Sequence, residues 1–253
     1  MRAFDAVSLD VGGVLVTPDH GILAHALTKQ GIPFDRSRFT DGHYRAMAEV
    51  DRARAEPETF TDYQRGFLRA VAVPDEHLEA AAALLIELMS APLWCQRIPG
   101  ALDAARRLLD AGIRLGVTSN ADGTIEDMLR RHEILQVGDG PGFPVECITD
   151  SGVIGKHKPD PAVFLATATG LDLAPERIVH IGDAGRYDAD GARAVGMGAV
   201  HVDPLDLCPQ DHHHHVASLA AYAEELIAGA GVGGAAGAVA GAGAGAVAAA
   251  AEP

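Results

Sequence analysis

Five short, mostly apolar runs constrain this chain more than any other feature: residues 6–9, 113–117, 145–148, 178–181 and 199–202. Each is too short for a stable helix, and none alternates with polar residues as a strand with one wet face would. The pattern is that of parallel strands buried on both sides. Between the runs, apolar residues recur at helical spacing: Leu102, Ala105, Leu108 and Leu109; then Ile125, Met128 and Leu129; then Val163, Phe164 and Ala168. Parallel strands need crossover connections, so the alternation predicts an α/β fold with a doubly wound parallel sheet. Residues 17–93 interrupt it. They read as several helices, including the unbroken stretch 77–90, with no strand. The expected organisation is a core of residues 1–16 and 94–228, a helical insert over 17–93, and a tail over 229–253.

The tail is almost purely Ala, Gly and Val. No charge separates Glu225 from Glu252, which raises a membrane helix as the rival reading. A glycine-rich run is poorly helical and weakly apolar, however, so a disordered segment is expected. The formal charge is −15, from 35 acidic and 20 basic residues. That argues against nucleic acid and anionic lipid as partners and suits a divalent cation. Cys95, Cys147 and Cys208 are far apart without CxxC spacing, so neither a disulfide framework nor a cysteine-pair zinc site is indicated, and a cytoplasmic location fits. The N-terminus lacks the long apolar stretch of a secretory signal. The tract His212 to His215 lies inside the chain, where it could take up Zn²⁺ or Ni²⁺ but reads first as a solvated loop.

Four motifs fall at the carboxyl ends of expected strands, where open α/β sheets bind ligands. They are SLDVGGVL with Asp10, GVTSN with Ser119 and Asn120, GKHKPDPAVF with Lys158 before a proline-initiated helix, and IGDAGRYDADGARAVGM with Asp183 and Asp188. Singly, each admits a plain role such as a helix cap or a surface charge. Together, in this order and context, they resemble the haloacid dehalogenase (HAD) superfamily from about Phe4 to Asp203, with the helical insert where that superfamily carries a type-1 cap.

The resemblance implies a Mg²⁺-dependent phosphatase acting on a small phosphorylated metabolite. Asp10 would be the nucleophile, forming an aspartyl-phosphate that water then hydrolyses. Asp10, Asp183 and the Gly12 backbone carbonyl would hold Mg²⁺, with Asp188 supporting them. Ser119, Asn120 and the backbone at Gly13 would hold phosphate, and Lys158 would offset charge on carboxylate and phosphoryl group. Lys29, Lys156 and Lys158 are the only lysines, and two of the three sit in this one motif. From the insert, His43, Tyr44, Asp51, Arg52 and Arg54 share one expected helix, and Tyr63 and Arg65 lie on the next; Arg52 is the candidate for a second substrate anion.

One position departs from the family pattern. Phosphatases of the superfamily usually carry a second aspartate two residues after the nucleophile, as general acid and base. Here that residue is Gly12. Proton transfer would fall to water, the substrate, or an insert side chain such as His20 or His43, which favours substrates with good leaving groups. Two alternatives follow: a 2-haloacid dehalogenase, whose branch usually has an aromatic residue at the Gly12 position and needs no metal, and a non-catalytic module that binds metal and phosphate. Phosphonoacetaldehyde hydrolysis would need an insert lysine, for which only Lys29 is present. A monomer or homodimer is expected.

Overall fold

A computed structural model of the chain describes residues 4–54, 61–88 and 93–229. In chain order the first half comprises β1 (Ala6–Leu9), β2 (Val16–Thr17), α1 (His20–Lys29), α2 (Phe39–Ala53), α3 (Thr61–Ala70), α4 (Asp75–Leu88), β3 (Gln96–Arg97), α5 (Ala101–Asp110) and β4 (Arg114–Ser119). The second half comprises α6 (Ile125–Arg131), β5 (Leu135–Val137), β6 (Phe143–Val145), β7 (Cys147–Asp150), α7 (Ser151–Ile154), α8 (Pro161–Gly170), β8 (Ile178–Gly182), α9 (Gly191–Ala194), β9 (Gly198–Val202), β10 (His214–Val216) and α10 (Leu219–Ile227).

Six strands form one parallel sheet in the order β10-β9-β8-β1-β4-β7. The chain runs outward from β1 through β4 to β7 on one side and from β8 to β10 on the other. The winding therefore reverses beside β1, and a crevice opens at the carboxyl end of that strand. Leu9 stands level with Val117 and Ile181, and the Asp10 amide donates to the Ile181 carbonyl at 2.8 Å. The three central strands thus end together.

Helices α1 to α4 follow β2 and precede β3, and these two short strands pair antiparallel, tying together the two connections to the insert. Helix α2 buries Phe39, His43, Ala46, Met47 and Val50, an i, i+4, i+7, i+8, i+11 stripe. It packs on Tyr63, Gln64, Phe67 and Leu68 of α3. The insert has its own apolar cluster, which also takes in Ala184 and Tyr187 from the segment after β8. Trp94 packs against both that cluster and the sheet core.

Two expectations shift. The run expected as a strand over 145–148 is divided: Phe143–Val145 pairs with Leu135–Val137, and the sheet strand is Cys147–Asp150. Glu146 lies at the break, its side chain drawn to Arg114 and its amide donating to the Leu115 carbonyl. The histidine tract is not a solvated loop: His214–Val216 is the edge strand, paired parallel to β9, and His213 is buried. The helix read over 77–90 begins at Asp75, just after Pro74 and with acidic residues in its first turn; its residues 89 and 90 lie outside the described residues. So does the tail beyond Gly229. No helix among the described residues is long and apolar enough to cross a membrane.

Candidate active site

A cavity of about 360 Å³ lies between the carboxyl ends of β1, β4 and β8 and the insert. Asp10, Gly12, Ser119, Lys158, Asp183 and Asp188 line it from the sheet side. Strand ends place three of these directly: Asp10 follows β1, Ser119 ends β4 and Asp183 follows β8. Lys158 precedes α8, which is initiated by Asp160 capping the Ala162 amide and by Pro161. The Lys158 ammonium lies 2.9 Å from Asp10 Oδ1 and 2.6 Å from Asp188 Oδ1. Carboxylate oxygens of Asp10, Asp183 and Asp188 all lie within 4.8 Å of one another, each buried.

Three carboxylates around one ammonium leave the cluster short of positive charge. Burial, reinforced by Asp188 and Asp183, pushes the Asp10 carboxyl up to about 7 against the pull of Lys158. Burial also works against ionised Asp188, but Lys158 and His180 outweigh it and hold that carboxyl well below the usual range. For Lys158 the same burial is more than reversed by Asp10 and Asp188, so it stays charged. An all-oxygen donor set with excess negative charge fits a hard divalent cation such as Mg²⁺. Behind the cluster a buried polar chain runs across the sheet: Asp188 Oδ1 to His180 Nε2 at 2.9 Å, His180 Nδ1 to Ser8 Oγ at 3.0 Å, Ser8 Oγ to Thr118 Oγ1 at 2.7 Å and Thr118 Oγ1 to Thr167 Oγ1 at 2.6 Å. Asp188 also accepts from the Ala184 amide. These contacts fix its carboxylate from several sides.

A family model described as haloacid dehalogenase-like hydrolase matches residues 4–196. The chain belongs to this family. It is 26% identical over 196 residues to haloacid dehalogenase-like hydrolase domain-containing protein 3 of Mus musculus, covering 76% of this chain and 75% of that protein. It is 30% identical over 149 residues to phosphoserine phosphatase of Thermus thermophilus, covering 59% of this chain and 55% of the relative. Among solved structures, a HAD phosphatase from Thermococcus onnurineus has the same fold with a TM-score of 0.53 at 18% identity, covering 89% of this chain and 98% of that one. An L-2-haloacid dehalogenase from Xanthobacter autotrophicus gives a TM-score of 0.54 at 15% identity over 88% and 98%. The chain is accordingly a HAD-like hydrolase.

In this HAD-like chain the insert supplies its own side chains to the cavity, among them His43, Met47 and Gln64. His43 Nε2 lies 2.6 Å from Asp183 Oδ2, and its Nδ1 lies 2.9 Å from the Tyr63 hydroxyl. The Tyr44 hydroxyl donates to the Gly13 carbonyl at 3.0 Å. Asp51 accepts from the Gly185 and Arg186 amides. Helix α2 thus grips the loop carrying Asp183 at several points. Gly13 has φ +65°, and a Cβ there would fall 2.2 Å from Asp183 Oδ2, so only glycine fits. At Gly12 a Cβ would stand 3.2 Å from Trp94 Cζ3. The indole occupies the space into which a second aspartate would project.

Several sequence expectations are placed elsewhere. Of the two histidines considered, His43 reaches the cavity, whereas His20 packs edge-on to Phe39 away from it. Arg52 is exposed and borders a separate cavity of about 140 Å³ beside Asp51 and Cys208. Arg54 ends α2 in a left-handed turn, and Arg65 pairs with Glu79 at the surface. Asn120 borders the cavity beside Asp10, but its amide is taken up by the backbone of Lys158, at 2.7 and 3.3 Å. The Gly13 amide donates to the Val16 carbonyl instead of facing the cavity. Lys29 is exposed at the end of α1. Sequence reasoning missed His180, Trp94 and Gln64. Polar Ser8, Thr118 and His180 inside otherwise apolar strands were the available signal for the buried chain. Gln64 gave none, yet it is buried with its Oε1 unpaired at the cavity.

Proposed function

We propose that this hydrolase is a Mg²⁺-dependent phosphatase of a small phosphorylated metabolite, with Asp10 as nucleophile. The observation that carries the reading is the clustering of three buried carboxylates at the winding reversal beside β1, two of them, Asp10 and Asp188, on the Lys158 ammonium. Asp10, Asp183 and the Gly12 backbone carbonyl would hold Mg²⁺, supported by Asp188, and the ion would supply charge neutralisation at the phosphoryl group. Asp10 attacks phosphorus and the bond to the leaving oxygen breaks, that oxygen taking up a proton. Water then attacks phosphorus of the aspartyl-phosphate, gives up a proton, and restores the Asp10 carboxylate as phosphate leaves. The Lys158 ammonium, fixed by Asp188 and by Asn120 on its backbone, offsets charge throughout. Ser119 lines the position for a phosphate oxygen. With no carboxylate at position 12, His43 is the insert side chain suited to the proton steps, because its ring borders the cavity, with Nε2 first released from Asp183 Oδ2. Gln64, its amide oxygen unpaired, is suited to a donor on the substrate's non-phosphate part.

The phosphatase names among the relatives support this reading. A 2-haloacid dehalogenase is the second reading, favoured by the Trp94 ring lying against Gly12. Against it, no arginine is among the described residues lining the cavity, so a haloacid carboxylate would meet acidic groups without a guanidinium to receive it. Phosphate release should be measured with Mg²⁺ on a nitrophenyl phosphate, an acyl phosphate and sugar phosphates, alongside halide release from 2-chloropropionate. Phosphate release abolished by Asp10→Asn is the expected result. Halide release without metal, or phosphate release indifferent to Asp10, would replace the proposal.

A further inference from the structure

A second cluster of potential ligands lies on the other side of Asp183. The pairing of β10 with β9 sets His215 beside His201. Side chains alternate along a strand, so His213 and His215 share the His201 side while their neighbours turn away. His212 instead meets Asp190 at 2.8 Å, and His214 meets Glu225 at 2.7 Å. Cys208, on the loop between the strands, completes the group. Donor atoms of His201, Cys208, His213 and His215 all lie within 4.8 Å of one another. His213 Nε2 is 3.2 Å from His201 Nδ1 and 3.8 Å from Cys208 Sγ.

The surroundings are those of metal ligands. His201 Nε2 lies 3.0 Å from the Asp183 carbonyl. A carbonyl only accepts, so the proton belongs on Nε2 and Nδ1 offers its lone pair to the cluster. Asp203 lies 3.5 Å from His215 Nδ1, and it also accepts from the Leu207 and Cys208 amides, fixing the loop that carries the thiol. His215 Nε2 is buried with no hydrogen-bond partner. We propose that His201, Cys208, His213 and His215 bind Zn²⁺. Three imidazoles and a thiol are a borderline-soft set that selects zinc over magnesium. Tetrahedral zinc needs its donors roughly 3.3–3.8 Å apart, so closure requires shifts of about 1 Å or less. The smaller cavity, bordered by His201 and Cys208, gives the ion access. Bound zinc would brace His201 beneath the Asp183 carbonyl, linking this site to the catalytic loop.

The test uses the full chain, stripped of metal under reducing conditions and titrated with Zn²⁺ against a chromophoric zinc chelator in excess Mg²⁺. One tight equivalent per chain is expected. Cys208→Ser and His213→Ala should each weaken it by about 100-fold or more, while His212→Ala/His214→Ala and Asp10→Asn leave it in place. Should Cys208→Ser fold poorly, Co²⁺ added to the unaltered protein reads the same point. Tetrahedral visible bands with a thiolate charge-transfer absorption support the site. An octahedral spectrum without that absorption, zinc lost from the His212/His214 variant, or zinc lost from Asp10→Asn would each overturn it.

Discussion

Restoring a carboxylate at position 12 probes how this chain manages without one. In Gly12→Asp the new Cβ would stand 3.2 Å from Trp94 Cζ3 and 3.6 Å from Cε3. The ring must yield by a few tenths of an ångström for the Cβ and further for the carboxylate beyond it. Overpacking of this kind costs about 1–3 kcal/mol. A fourth negative charge roughly 6 Å from Asp10 adds about 3 kcal/mol of repulsion at an effective dielectric constant near 20. At about 2–4 °C per kcal/mol for a domain of this size, the single variant should melt roughly 10–20 °C lower without Mg²⁺, and recover in part when Mg²⁺ is added. Trp94→Leu clears the space. If a missing acid and base limits the chain, Gly12→Asp/Trp94→Leu should exceed Trp94→Leu by about 10² to 10⁴ in kcat/KM on an alkyl phosphate. On a nitrophenyl phosphate, whose leaving group needs no proton, the two should be nearly equal. The assay is phosphate release from both substrates. An alkyl-to-aryl ratio unchanged by Gly12→Asp would refute the reasoning.

Other consequences are as specific. Lys158→Met leaves three buried carboxylates uncompensated, so turnover should fall at least about 10³-fold. Its Asp10 carboxyl should rise further above the unfolded value; stability is then greatest in acid and lost as pH rises through the folded pKa, and a melting temperature that climbs from pH 5 to pH 8 would contradict this. In the unaltered protein the proposed Mg²⁺ site would require ionised Asp10, whose carboxyl burial pushes up to about 7. Calorimetry at pH 7 in buffers of different ionisation enthalpy should therefore show roughly half a proton released per ion, with affinity weakening below pH 7; buffer-independent heats would count against it. His43→Gln should lower kcat on alkyl phosphates by about 10²-fold, with a smaller effect on aryl phosphates and little change in KM. Gly13→Ala should fail to accumulate as folded protein in a solubility and circular-dichroism assay, since its Cβ would overlap Asp183.

The sheet was legible because buried parallel strands announce themselves as short apolar runs. Asp10, Ser119 and Asp183 could be read as candidates because an apolar strand run leads into each, and Lys158 because it stands just ahead of a proline-initiated helix. What escaped depends on contacts distant in sequence. Trp94 meets Gly12 only through the return of the chain from the insert. Asn120 looks like a phosphate ligand until the loop before α8 places Lys158 against it. Arg52 lies on the expected helix, yet the orientation of α2, set by its apolar stripe and by His43 on Asp183, turns it to the other cavity. The histidine tract was the hardest to read, because whether alternating histidines gather or disperse is decided by the strand that pairs with them.

The central claim, that Asp10 carries a phosphoryl group in turnover, is tested most directly by acid-quenching a reaction with Mg²⁺ and an acyl phosphate and measuring the mass of the peptide containing Asp10. A phosphoryl adduct on that peptide, absent without Mg²⁺ and absent in Asp10→Asn, is the expected result. Phosphate released at full rate with the peptide unmodified at every time point, or an adduct on another residue, would contradict the account.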